Sequence, residues 1–188
     1  MDFHPYKIQL TQQLQGNDHE RRREWCTKVL QFNNDNPQFF KNLIMSEEAH
    51  FDISVYVNKQ NSRYWGSENP RLMHEQPLHP LRATVWCAIW SGGIIGPFFF
   101  EDANQNAVTV NSERYCEMLQ NFFLPEIKRQ GLQHMWFQQD GATSHTARAT
   151  MRILRDAFPG RIMSKSGDVD WPPRSPHLTA PDYFLWVT

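Results

Sequence analysis

Glu47, Asp140 and Asp182 are the residues whose type and placement point to chemistry. Glu47 follows FFKNLIMS, an apolar stretch that reads as a buried strand over 39–46. Asp140 closes HMWFQQ, a second short strand over 134–139. Asp182 lies near the start of a helix that begins at Thr179 or Ala180, after a proline-rich loop. If the two strands are neighbours, Glu47 and Asp140 share one edge of a sheet, and the helix start adds a third acid. Three carboxylates offer the hard oxygen ligands that Mg²⁺ prefers, with water and substrate phosphate completing the octahedron. Two such ions about 3.5–4 Å apart activate an attacking water or 3′-hydroxyl and stabilise the leaving oxygen in phosphoryl transfer. Each acid also has a plainer use. Glu47 and Glu48 suit a solvated strand end, Asp140-Gly141 suits a turn, and Thr179-Ala-Pro-Asp182 matches a helix-capping pattern.

Other candidates carry less. Arg148, Arg152 and Arg155 recur at i, i+4 and i+7, a stripe that would line a DNA groove or simply face solvent. Arg21–Arg23 reads as a solvated helix face, and His145 as a turn residue or a neighbour of Asp140. The eight histidines show no HExxH spacing, and the chain has neither a GxGxxG nor a P-loop motif. Cys26, Cys87 and Cys116 form no CxxC pair, and their odd number argues against a disulfide framework, which fits a reducing compartment.

The positioning elements follow from periodicity. Trp25, Val29 and Leu30 predict an amphipathic helix over 18–33, capped by Asn17 or Asp18 and ended by the cluster Asn33–Pro37. His50–Val57 alternates as a further strand, Arg63–Trp65 suits a short one, and 66–80 is a loop. Arg82–Trp90 and Ile94–Phe100 form a hairpin about Ser91–Gly93. Tyr115, Leu119, Phe123 and Ile127 predict one helix over 111–130 with Ser112 as its cap, and Ala147, Met151, Leu154 and Phe158 another over 145–158. Arg161–Met163 is a short strand, and 167–181 a loop. The tryptophans at 86, 90, 136 and 171 are assigned to the core. This order predicts an α/β fold, a mixed sheet with flanking helices.

The 188 residues suit one domain, and 40% apolar with 13% aromatic residues supply a real core. Nineteen basic against twenty acidic residues give a net charge of −1, so charge alone supports no indiscriminate polyanion binding. The longest apolar run, Ala88–Phe100, is broken by glycines and Pro97 and is too short for a membrane span.

Five stretches, in order, are MSEEAHF (45–51), YVNKQNSRYWGSENP (56–70), TVWCAIWSGGIIGPFFFED (84–102), WFQQDGATSHTAR (136–148) and WPPRSPHLTAPDYFLW (171–186). Together they resemble the catalytic domain of mariner-like transposases, in the Tc/mariner superfamily of DDE/D enzymes, over nearly the whole chain. The resemblance implies an RNase H-like (retroviral-integrase-like) fold. It also implies metal-dependent DNA cleavage and strand transfer with two Mg²⁺ (or Mn²⁺) ions. The second and third family acids fall on Asp140 and Asp182, and Glu47 stands where the family has its first Asp. The implied partners are transposon-end and target DNA and a second copy of the chain, in the nucleus, with no membrane and no small-molecule cofactor.

The departures set further expectations. Glu47 is one methylene longer than Asp, and His177 replaces a usual Asp. The chain ends six residues after Asp182, where the family domain continues, so a C-terminally incomplete domain is expected. Residues 1–36 are assigned to a linker and amphipathic helix, 37–188 to the catalytic domain, and the family's N-terminal helix-turn-helix region is expected to be absent. Reduced or lost activity follows as an expectation, and the alternative role is a non-enzymatic nucleic-acid-binding or dimerisation module.

Overall fold

The computed structural model describes residues 13–52 and 82–186. Helix α1 (Asp18–Asp35) leads through a short 3₁₀ turn (Phe40–Asn42) into strand β1 (Leu43–Asp52). A hairpin of β2 (Arg82–Trp90) and β3 (Gly93–Phe99) follows, then helices α2 (Ser112–Met118) and α3 (Leu124–Gln130). Strand β4 (Trp136–Gln138), helices α4 (Thr143–Thr146) and α5 (Arg148–Ala157), and strands β5 (Ile162–Ser164) and β6 (Val169–Asp170) come next. A 3₁₀ turn (Pro176–Leu178) and helix α6 (Ala180–Phe184) complete the order. The expected strand at 63–65, the loop at 66–80 and the stretch 53–57 lie outside the described residues.

The six strands form one mixed sheet in the order β3-β2-β1-β4-β5-β6. The hairpin pairs antiparallel with β1, whereas β1, β4, β5 and β6 run parallel. This is the α/β arrangement expected from the element order. Alternation along the strands divides their side chains between two cores. Ile44, Trp86 and Phe137 face α2, α3 and α5, where Phe137 lies 4.9 Å from Phe123 and 5.4 Å from Phe158, ring centre to ring centre. Leu43, Met163 and Val169 face α1, where Trp25 meets Trp171 edge-on at 4.8 Å. Trp86 and Trp171 are buried and Trp90 and Trp136 pack at the core margins, so all four belong to the core as expected.

Several elements differ from the periodicity reading. Leu43–Asp52 is one continuous strand, so Glu47 sits within it rather than at its end. The antiparallel partner explains this: Glu47 and Glu48 pair with Cys87 and Trp86, and the ladder continues to Asp52 opposite Arg82. The helix predicted over 111–130 is interrupted by a π-helical turn at Leu119–Phe123, just before Pro125 supplies a residue with no backbone N–H. Its cap is Asn111, whose side chain accepts from the Arg114 amide, and not Ser112. Gly131, at φ 72°, ends α3 in the left-handed conformation that glycine takes without a Cβ clash. The helix predicted over 145–158 starts earlier and breaks at Ala147, whose ψ of 145° is extended. Strand β6 occupies part of the stretch read as loop; its two residues pair with Met163 and Ser164.

α1 is tied to the segment that carries Trp171. Asp18 is buried and receives Arg174 Nε at 2.5 Å and Nη2 at 2.6 Å, a two-pronged ion pair. Arg21 reaches Asp170 at 2.7 Å, and Arg22 donates to Ser175 Oγ at 2.9 Å. Arg21 and Arg22, read as part of a solvated face, thus fasten α1 to residues 170–175, while Arg23 is exposed. The hydrogen bond from Arg174, aided by the Gln15 amide, holds the Asp18 carboxyl down at about 2. That is below its ordinary 3.8, so the pair adds stability above about pH 4 that is lost as pH falls through 2. Asp18→Asn is therefore expected to lower the melting temperature at pH 6 and to converge with the unaltered chain towards pH 2. Equal melting at pH 6 would refute the role of this pair.

Candidate active site

The site forms where β4 stops. β4 ends at Gln138 opposite Met45, so β1 continues past the end of its parallel neighbour. Glu47 projects from this stretch, which keeps β2 as its partner on the other side, and Asp140 lies two residues beyond the end of β4. The Ser46 hydroxyl donates to the Gln138 carbonyl at 3.0 Å and extends the connection past the last ladder pair. Asp182 comes from the first turn of α6, which packs across β1 and β2. Thr179 makes no side-chain capping bond, so the capping use foreseen for Thr179 and Asp182 is not realised.

Glu47, Asp140 and Asp182 line a single cleft of about 660 Å³. Trp171 and the run Pro172–Pro176 form one wall, and Arg21, Lys165 and Arg174 contribute cationic side chains. Glu47 is thus not a solvated strand end. The charged stripe Arg148, Arg152 and Arg155 is not brought to this cleft. It stands on the exposed side of α5, whose opposite side, Met151 and Leu154, enters the core on the other face of the sheet.

Glu48 points away from Glu47, as neighbours in a strand must. Its carboxylate meets His145 Nε2 at 3.0 Å, and His145 Nδ1 meets Asp140 Oδ1 at 2.5 Å. Asp140 Oδ1 also accepts from the Ala142 amide at 2.9 Å. The loop holding Asp140 and His145 is fixed from beneath by Gln139, which is completely buried. Gln139 accepts from the Tyr115 hydroxyl at 2.9 Å and donates to the His145 carbonyl at 2.9 Å and to Ser164 Oγ at 3.2 Å. Ser164 in turn donates to the Asp140 carbonyl at 3.3 Å. As supports of the site, Tyr115 and Gln139 escaped the sequence reading, in which Tyr115 figured only as a residue of the apolar stripe. A polar residue at the end of an otherwise apolar strand and a tyrosine on the apolar stripe of a helix were the available signals.

The electrostatics follow from this placement. Burial pushes the Glu47 carboxyl up, and the charges of Asp182, Asp140 and Glu48 push it further, to about 8. Burial and the charge of Asp140 likewise raise Asp182. Asp140 moves the other way: burial opposes its ionisation, but His145 and the Ala142 amide outweigh it. Burial also opposes protonation of His145, yet Glu48 and Asp140 lift its imidazole to about 10.

Three mutually repelling carboxylates on one cleft form a donor set of hard oxygens short of positive charge, which fits a divalent cation such as Mg²⁺ or Mn²⁺ in kind. Among the described residues, no three acidic, imidazole or thiol groups are arranged to grip an ion as they stand. Gripping one therefore requires the carboxylates to turn towards each other.

Glu47 holds its proton more tightly in the folded chain than in the unfolded one, where its value is near 4.5. Its contribution is favourable below about pH 4.5 and lost as pH rises to about 8. Glu47→Gln is expected to be more stable than the unaltered chain at pH 8, by on the order of 3 kcal/mol, and close to it at pH 4.5. Urea melts at the two pH values measure this, and parallel behaviour at both would refute it.

No protein-family model and no curated protein sequence matches the chain. Solved structures do. A Mos1 transposase paired-end complex with the left transposon end superposes with a TM-score of 0.71 at 21% identity, covering 98% of this chain and 51% of that one. The Mos1 transposase catalytic domain with raltegravir and Mn gives 0.65 at 20% identity, over 93% of this chain and 70% of that one. A crystal structure of the catalytic domain of Mos1 mariner transposase gives 0.65 at 19% identity, over 94% and 72%. The chain spans about half the length of the paired-end protein. Its mixed sheet and flanking helices are the RNase H-like fold of the Mos1 mariner transposase catalytic domain.

Proposed function

We propose that the chain is the catalytic domain of a mariner-like transposase, built for metal-dependent cleavage and transfer of DNA strands. The observation that carries this reading is the meeting of Glu47, Asp140 and Asp182, from three separate elements, on one cleft. The fold shared with the Mos1 catalytic domain supports it, as do the complexes of Mos1 with transposon-end DNA and its catalytic domain with Mn or Mg. DNA is the proposed substrate, and the nucleus the corresponding place of action.

Glu47, Asp140 and Asp182 would hold Mg²⁺ or Mn²⁺. The ions would supply Lewis-acid activation of an attacking oxygen and charge relief at the leaving one. The chain's own part is to position and to balance charge. Asp140 stays ionised because His145 and the Ala142 amide stabilise its carboxylate. Lys165 lies beside Gly141 on the cleft, where an ammonium suits a DNA phosphate. Arg21 and Arg174 line the same cleft while bound to Asp170 and Asp18, so their charge is held in place. Glu47 reaches about one C–C bond further than an Asp would. Displacements of about 1 Å cost roughly 100-fold in rate, so this residue slows the reaction.

Nicking of supercoiled DNA in Mn²⁺ tests the reading. Asp140→Asn is expected to abolish nicking, and Glu47→Asp to speed it roughly 10–100-fold. Cutting that persists in Asp140→Asn would rule out this cleft as the site. Equal rates for Glu47 and Asp would show that the longer side chain is tolerated. A folded chain without metal-dependent cutting would favour the non-enzymatic module instead.

A further inference from the structure

Resting on the metal-site reading above, we infer that Glu48 and His145 act together as a positioning clamp that leaves Asp140 only one oxygen, Oδ2, to offer to a metal. The geometry is that of a carboxylate–imidazole–carboxylate chain crossing from one face of the sheet to its edge. His145 is buried, with a side chain 4% exposed, and contacts one carboxylate through each ring nitrogen. Asp140 Oδ1 has its lone pairs taken by His145 Nδ1 and by the Ala142 amide. The Asp140 side chain is nonetheless 41% exposed, and it lines the cleft. What it presents there is the other oxygen.

The ring itself cannot easily turn. It lies against Tyr115, with centres 4.3 Å apart, and its backbone carbonyl is held by Gln139. Nδ1 is engaged by Asp140 and Nε2 by Glu48, so Glu48 fixes the far side of the ring that holds Asp140. The doublet Glu47-Glu48 divides its labour by strand alternation, one acid entering the cleft and the next reaching through His145 to a second acid of the same cleft.

A positioning role and a purely electrostatic one have opposite signs. A cation next to a metal ligand repels the metal, so if charge were all that mattered, removing His145 would tighten metal binding. If geometry matters, removing it frees Asp140 to turn away and weakens binding; groups that orient metal ligands are typically worth roughly 10–100-fold in affinity. Asn at 145 retains a donor near the position of Nδ1 while losing the charge and the reach to Glu48.

The test is Mn²⁺ affinity of the full chain, read from the electron paramagnetic resonance of free Mn²⁺, well below the melting temperature of each variant. His145→Ala is expected to weaken binding roughly 10–100-fold and His145→Asn to recover a large part of it. Glu48→Gln, nearly the same shape, is expected to weaken binding severalfold and serves if His145→Ala does not fold. Binding that is unchanged or tighter in all three variants, while Asp140→Asn loses it, overturns the clamp and leaves the metal site intact. Binding that is indifferent to Asp140→Asn overturns the metal-site reading and the clamp with it.

Discussion

β1 and β4 pair over only three residues: Leu43 with Trp136, Ile44 with Phe137, and Met45 with Gln138. This short parallel contact decides where the acids lie. Because β4 stops at Gln138, β1 runs on without a neighbour on that side, and Glu47 faces the space vacated. Because the chain turns immediately after β4, Asp140 lies at the rim of the same space. A parallel pair of this kind needs cover on both faces of the sheet. α1 supplies it on one side and the α2, α3 and α5 group on the other. Apolar residues at both parities of β1, Leu43 and Ile44, meet that requirement.

The two sides of the sheet then support the site by different means. On the α1 side the support is ionic. Asp18–Arg174 and Arg21–Asp170 hold the segment 170–175, which forms a cleft wall and runs on to α6 and Asp182. On the other side it is a buried hydrogen-bond network centred on Gln139, Tyr115 and Ser164. Buried polar groups are costly unless their partners are present. Gln139 is completely buried with both ends of its amide engaged, so the network fixes the loop that bears Asp140 and His145. The acids are thus held by their surroundings at a cost, since burial first and the charges between them second raise Glu47 and Asp182.

How much of this the sequence disclosed depends on the range of the interaction. Periodicity located α1, the hairpin, β4 and β5, because alternation and the helical stripe are local signals. It split β1 after Ser46, because two glutamates in succession look like a boundary; the antiparallel partner that carries the strand through them is forty residues distant in sequence. It joined α4 to α5, because the apolar stripe continues across Ala147 while the backbone does not. β6 is too short for any pattern. Arg21 and Arg22 were read as solvated because their partners, Asp170 and Ser175, come from the far end of the chain. The three acids were legible as candidates, and the family resemblance singled them out. The nearness of His145 to Asp140 was one of the two readings its short spacing allowed, whereas its engagement by Glu48 was not legible, since that partner comes from a distant strand.

The register of β1 is the remaining constraint. A slip of one residue would set Glu48 in the place of Glu47 but Ala49 in the place of Glu48, or Ser46 and Glu47 in those two places, so each slip leaves one of the two places without a carboxylate. The apolar residues do not separate the registers strongly, since Leu43, Ile44 and Met45 are all acceptable in a covered strand. Ser46 does. In the observed register its hydroxyl caps the buried carbonyl of Gln138 at the point where the ladder ends. A slip would place Met45 or Glu47 there, and the buried carbonyl would lose its donor. A buried polar group left without a partner costs about 1–3 kcal/mol, enough to favour one register roughly tenfold or more. The residue that places Glu47 in the cleft, and Glu48 on His145, is therefore the small polar one that precedes them both.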